Sequence, residues 1–234
     1  LLEIFAFFGL IRRFEQIPFR KRFNLAFLVM TSIVGMNFNL AANSIGFYQM
    51  SKLCCIPYML IWNTFINKMT YTKKEVLSLS ILLFGVGLFS VSDVEVNLLG
   101  TIYAVISIVS TAHNQMITHD LQKEYSLNGP ELQLAIMPEE FSLGLISATL
   151  LENISDDSFA TSELSLNDIF LLLGTCFFAI GVNMATFGLI GKTSSVTYQV
   201  VGHVKTILLL IFGYIFFPSP WESTSQMLRA VSGI

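Results

Sequence analysis

Long apolar runs separated by short polar breaks dominate this chain. A bilayer core of about 30 Å requires about 20 apolar residues in a helix, and most of the runs reach that length. They predict membrane spans at Phe23–Ala42, Asn43–Asn67, Glu75–Ser92, Leu98–Ile117, Gly129–Leu151, Asp168–Ile190 and Ser194–Phe217. Leu1–Ile11 reads as the tail of an earlier helix, and another run opens near Gln226. The expectation is a chain truncated at both ends. The turn between the first two full spans is very tight. Pro57 predicts a kink in the second, because proline has no N–H to donate and crowds the preceding turn.

Composition and charge fit this map. The 234 residues are 53% hydrophobic and 12% charged, with mean hydropathy +0.67, whereas a soluble domain carries about 25% charged residues. Cys54, Cys55 and Cys176 all lie in apolar runs, which suggests small buried hydrophobes rather than a disulfide or metal framework. If Leu1–Ile11 exits toward the cytosol, Arg12, Arg13, Arg20, Lys21, Arg22, Lys68, Lys73, Lys74, Lys123 and Lys192 fall in cytosolic loops, which is ten of the 13 basic residues. The opposite loops are acidic, with Asp93, Glu95, Glu152, Asp156, Asp157, Glu163, Asp168 and Glu222. This is the positive-inside pattern. RRFEQIPFRKR is read as a solvated basic loop rather than a lipid-binding patch.

Two spans share a local pattern. Ser44/Tyr48/Gln49 precede Lys52, and Ser194/Tyr198/Gln199 precede Lys205. On this map the two helices run in opposite directions, with four complete helices between them. That implies an inverted-topology repeat of five helices, with pseudo-repeats at about 1–95 and 96–234 in one transporter domain, 1–234. Lys52 lies about 12 Å past Ser44 and Lys205 about 17 Å past Ser194 at about 1.5 Å per residue, which puts both near the midplane. A lysine there costs about 2.5–3.5 kcal/mol or more, so it needs water, a counter-charge or a bound anion.

Helical spacing puts Ser44, Tyr48 and Lys52 on one stripe, and Tyr198, Gly202, Lys205 and Thr206 on another. Two readings stand side by side: the lysines receive an anion, or they pair with intramembrane acids, for which Glu139 and Glu140 are the candidates. Tyr48 and Tyr198 suit packing and ligand contact alike. Asn183 could bond a neighbouring helix or the ligand. His203 reads as a packing residue, Asn114 and Gln115 as loop-facing, and Gly85, Gly87, Gly181 and Gly188 as close-packing positions. Asn153-Ile154-Ser155 is a glycosylation sequon beside the membrane on the expected luminal side. There is no nucleophile–base pair and no metal-ligand cluster, so an enzyme, a cofactor and a metal are not expected.

NSIGFYQMSKLCCIP, LSLSILLFGVGLFSVSD and IGKTSSVTYQVVGHVKTILLLIFGY resemble the plant-type nucleotide-sugar transporters of the drug/metabolite transporter superfamily, over about residues 24–217. The branch they are most similar to is that of the UDP-rhamnose/UDP-galactose transporters, with UDP-xylose carriers close by. The resemblance implies an all-α integral membrane fold of ten helices in two inverted repeats of five, about eight of them largely present here. It implies exchange of a cytosolic UDP-sugar for luminal UMP in the Golgi membrane, with the endoplasmic reticulum as a second compartment. Lys52, Lys205 and Thr206 match the family's phosphate contacts. Tyr48, Tyr198, Gln49, Gln199, Gly202 and Asn183 complete the expected substrate site. Related plastid sugar-phosphate carriers have Lys-Arg where this chain has Lys205-Thr206, which argues against triose phosphate. Glu139 and Glu140 depart from the family's mostly uncharged stretch. Two alternatives remain: a sugar-phosphate or organic-anion carrier of the same fold, and an inactive membrane remnant. The expected partners are the nucleotide ligands and the lipid bilayer, without nucleic acid; a homodimer is compatible with this reading.

Overall fold

The computed structural model describes residues 16–43, 45–90, 97–154 and 165–202, with isolated positions at 6, 9, 11, 12, 204 and 208. Among these residues there is no strand. Seven helices follow one another: α1 (Phe19–Ala42), α2 (Ile45–Leu53), α3 (Cys55–Phe65), α4 (Lys73–Ser90), α5 (Leu98–Glu124), α6 (Gly129–Ile154) and α7 (Leu166–Lys192). Residues 195–202 are helical again.

Three of the helix starts share one device. A side-chain carboxylate at the third helical position accepts a hydrogen bond from the backbone N–H at the cap: Glu75 from Thr72 at 2.7 Å, Glu131 from Asn128 at 2.8 Å, and Asp168 from Ser165 at 3.0 Å. This capping arrangement satisfies donors that the first turn leaves unpaired. It explains why α4 and α7 each begin two residues before the apolar run, at Lys73 and Leu166.

The end of α5 is equally local in origin. Ser126 adopts a left-handed conformation with φ of 51°, and Leu127 N–H then donates back to Gln122 O at 2.9 Å. This six-to-one closure is a Schellman turn. It drives Leu127 into a cluster with Ile17, Leu25, Leu121, Leu132, Ala135, Ile136 and Phe187. α6 follows after one more residue, with Pro130 in its first turn, where a missing N–H costs nothing.

The chain divides into two compact units. One comprises 1–30 and 114–194, the other 31–113 and 195–234. In the first, α6 packs along α7, and α5 side chains complete the end of α7. His119 Nδ1 donates to Ile190 O at 2.9 Å, and Gln122 Nε2 donates to Phe187 O at 2.9 Å. Ile190 O is one of the last four carbonyls of its helix, which have no partner within it. In the second unit, α2 contacts α3 and α4. Gly35 of α1 faces Ser107 of α5, whose Cβ would lie 3.1 Å from an added methyl carbon.

Three described helices are long and apolar enough to cross a membrane: α1, α6 over Gly129–Leu151, and α7. The surface of α7 carries Phe170, Leu171, Phe177 and Phe178, all more than half exposed. Such a surface suits hydrocarbon rather than water. The sequence map also expected Asn43–Asn67 to be one span, but the structure breaks it at Cys54 into α2 and α3. Pro57 is the third residue of α3. Its ring cannot tolerate a helical Leu53 carbonyl four residues back, so the earlier helix stops there.

Other expectations need correction. Asn114 and Gln115 are not loop-facing: α5 runs seven residues past Ile117, and Gln115 is buried. Cys54 and Cys176 are exposed, and only Cys55 is buried; all three thiols are free. A Cβ at Gly181 or Gly188 would meet nothing within 4 Å among the described residues, so neither glycine serves close packing there through its own missing side chain. That role belongs to Gly129, where a Cβ would lie 2.6 Å from Phe187 C and 2.7 Å from Gly188 Cα. The side chains around Gly85 and Gly87 lie outside the described residues, as do most of Leu1–Ile11, Ser155 of the sequon and everything from Gln226.

Candidate functional site

Lys52 lies in the last turn of α2 and is half-buried. Its Nζ lies 4.0 Å from the centroid of the Tyr48 ring. This is the i,i+4 stripe expected from the spacing, realised as a cation–π contact. Among the described residues no carboxylate pairs with Lys52; the ion pairs there are Arg12–Glu131, Lys21–Glu124 and Arg22–Glu139. Two features make the charge tolerable. The carbonyls at the end of α2 favour a cation, and the aromatic face supplies partial negative charge without adding a formal one.

A polar network in the same unit fixes this turn. Asn39 of α1 is fully buried, and its Nδ2 donates to Ser51 Oγ at 2.7 Å. Ser51 Oγ in turn donates to Tyr48 O at 2.8 Å. Asn43 Nδ2 donates to Asn39 Oδ1 at 2.7 Å and to Asn39 O at 3.1 Å. The side chain of Asn43 lies against Gly100 of α5, where an added methyl carbon would displace it. The chain of contacts therefore runs from α1 through Ser51 to the backbone of the residue whose ring holds Lys52. The sequence reading missed it. The available signal was the i,i+4 spacing of Asn39 and Asn43 within an apolar run.

A second cluster sits further along the unit. The Tyr58 and Trp62 rings of α3 stack at 6.1 Å, and Trp62 meets the His113 ring of α5 edge-on at 4.5 Å. His113 Nδ1 donates to Val109 O at 2.9 Å. Asn63 Nδ2 donates to Tyr71 Oη at 3.1 Å and Asn67 Nδ2 to Asn63 Oδ1 at 2.9 Å, which closes the end of α3.

The remaining expected site residues divide as follows. Residues 195–202 belong to the same compact unit as Lys52. Within them Tyr198 is half-buried, Gln199 is buried, and a Cβ at Gly202 would meet nothing within 4 Å among the described residues. Asn183 belongs to the other unit and is exposed on α7. Ser44, the side chain of Gln49, His203, Lys205 and Thr206 lie outside the described residues. So the structure joins Tyr48 to Lys52 directly and groups residues 195–202 with them.

Glu139, one of the two candidate acids, pairs with an arginine among the described residues. Arg22 Nη2 lies 3.1 Å from its Oε1, inside the first unit. In the segment read as a solvated basic loop, Arg12 and Arg20 are exposed, and residues 13–15 lie outside the described residues. Arg12, Lys21 and Arg22 each meet an acid from the α5–α6 region, namely Glu131, Glu124 and Glu139.

Comparison with known proteins gives a consistent result. Three Arabidopsis thaliana proteins illustrate it. UDP-xylose transporter 3 is 33% identical over 228 residues, covering 95% of this chain and 64% of its own length. UDP-xylose transporter 1 is 35% identical over 230 residues, with 94% and 66% covered. UDP-rhamnose/UDP-galactose transporter 1 is 32% identical over 223 residues, with 94% and 64% covered. The chain thus spans just under two thirds of the length of these relatives. The profile of the Triose-phosphate Transporter family matches residues 6–232. With apolar helices of spanning length and a match over nearly all of its residues, the chain is a multi-pass membrane protein and belongs to the Triose-phosphate Transporter family.

Proposed function

We propose that the protein carrying this chain is a nucleotide-sugar antiporter. It moves a UDP-sugar from the cytosol into the Golgi lumen and returns UMP. The observation that carries this reading is Lys52: half-buried, held on a tyrosine face, and with no carboxylate partner among the described residues. A diphosphate offers such a lysine charge-assisted hydrogen bonds. Lys205 and Thr206 supply the second set of contacts, and Tyr48, Tyr198, Gln49, Gln199 and Gly202 shape the site around the ligand. Asn183 is a lesser member, because it is exposed on α7. The ten-helix inverted repeat belongs to the same proposal. Occluding two unpaired ammonium groups is costly, so the empty carrier crosses slowly and the loaded carrier readily. Coupled exchange follows. No bond is made or broken in this cycle, so the protein is not an enzyme.

Both UDP-xylose and UDP-rhamnose/UDP-galactose transporters are among the relatives, the former at 33–35% identity and the latter at 30–32%. UDP-xylose therefore joins UDP-galactose and UDP-rhamnose as a candidate substrate. A second reading, a sugar-phosphate carrier, is favoured by the description of the matching family. Liposomes containing the protein and loaded with UMP separate the two. The antiporter reading expects uptake of a UDP-sugar that is lost in Lys205→Ala. Near-normal uptake by that variant refutes the assigned role. Competition by inorganic or triose phosphate, but not by nucleotides, supports the second reading.

A further inference from the structure

Arg22 and Glu139 meet through a single contact, Nη2 to Oε1 at 3.1 Å. Arg22 Nη1 also donates to Ala135 O at 3.4 Å. Arg22 Nε and Glu139 Oε2 are both buried and without a partner among the described residues. A guanidinium and a carboxylate at rest usually form two parallel hydrogen bonds. Here one guanidinium nitrogen and one carboxylate oxygen are unused, and a buried charged atom left unpaired is costly. The pair therefore holds α1 against α6 without occupying the most stable geometry open to it. The side chain of Arg22 is 27% exposed, so water can receive it on release.

The local backbone favours movement at the same point. Pro138 lies inside α6 immediately before Glu139. It returns no hydrogen bond to Leu134 O, and its ring crowds that carbonyl, which makes this turn the most easily bent part of the helix. Ala135 O, one residue along, is the carbonyl that Arg22 reaches. The two neighbouring pairs, Lys21–Glu124 and Arg12–Glu131, each have one partner at least 50% exposed, and such pairs contribute little.

We propose that Arg22 and Glu139 form a latch that ties α1 to the turn after Pro138 in the conformation described here and that must open in each transport cycle. The proposal rests on the carrier reading. Its test is a reversible bridge. Arg22→Cys and Glu139→Cys are combined in a background with Cys54, Cys55 and Cys176 replaced by Ala, and joined by a short bis-thiosulfonate reagent. Bridging should abolish UMP-driven UDP-sugar exchange, reductant should restore it, and the reagent should leave both single-cysteine variants active. Exchange by the bridged protein at the unbridged rate overturns the latch alone. Absence of exchange in the unmodified protein overturns the carrier reading and the latch with it. Glu139→Gln gives a second reading without cysteines. Losing one charged hydrogen bond should shift the half-saturating UDP-sugar concentration or the turnover by about tenfold. Unchanged exchange in a folded Glu139→Gln protein overturns the proposal.

Discussion

Gly129→Ala is a small change with a large expected effect. The added methyl carbon would sit 2.6 Å from Phe187 C and 2.7 Å from Gly188 Cα, where ordinary contact begins near 3.4 Å. All the atoms it meets are backbone, so no side chain can swing aside. Either the first turn of α6 or the last turns of α7 must move by several tenths of an ångström. That movement strains two buried hydrogen bonds, from His119 to Ile190 O and from Gln122 to Phe187 O. Overpacking of this kind costs about 1–3 kcal/mol, and each weakened hydrogen bond adds about 0.5–1.5 kcal/mol. A total of about 2–6 kcal/mol is expected, read as a lowered unfolding midpoint of the purified protein in detergent. Gly181→Ala is the matched control. Its Cβ meets nothing within 4 Å among the described residues, and replacing a mid-helix glycine by alanine gains up to about 1 kcal/mol. If the two variants unfold at the same midpoint, the close approach of α6 and α7 is not as described.

Other outcomes follow from the same contacts. Asn39→Leu removes the donor to Ser51 and the acceptor for Asn43 in a fully buried setting; a stability loss of about 2–3 kcal/mol in chemical denaturation is expected, and a loss below 0.5 kcal/mol would contradict the network. Tyr48→Phe preserves the ring beneath Lys52 and should leave ligand affinity within about twofold, whereas Tyr48→Ala should weaken it by about 0.5–2 kcal/mol. Equal effects in a binding titration would show that the ring plays no part in holding the lysine. Ser126→Gly relieves a left-handed position and should raise the unfolding midpoint by about 0.5–1 kcal/mol equivalent. A lowered midpoint would mean that Ser126 contributes more than its backbone.

Much of the helical layout was legible because it depends on local sequence. Apolar runs anticipated α1, α4, α5, α6 and α7. The capping residues Thr72, Asn128 and Ser165 then fix where three of them start, and α4 and α7 begin two residues before hydropathy alone suggests. Pro57 signalled an interruption, but its cost fell on the preceding residue four back, so the break lies at Cys54. The span read as Leu98–Ile117 stops short of the end of α5 at Glu124, and Asn114 and Gln115, read as loop-facing, lie within the helix. The extra turns are buried where His119 and Gln122 reach the carbonyls of α7, partners more than 60 residues away.

The site followed the same rule. Tyr48 and Lys52 are neighbours by helix spacing, so sequence found them together. Arg22 and Glu139 are 117 residues apart, and no periodicity links them; from sequence Arg22 reads as a loop residue and Glu139 as a candidate partner of the intramembrane lysines. Charge pairing across a fold cannot be read from spacing. The departure of Glu139 and Glu140 from an uncharged stretch was the hint that a charge on another helix faced Glu139.

The central claim is that Lys52 and Lys205 receive the phosphates of a nucleotide. Titration of UMP and of UDP-sugars into purified protein, with wild type compared against Lys52→Gln and Lys205→Gln, tests it most directly. Each charged hydrogen bond lost should weaken binding by about 1.5–3 kcal/mol, about tenfold or more, while the unfolding midpoint without ligand stays within about 0.5 kcal/mol equivalent. Wild-type affinity in both folded variants would contradict the account.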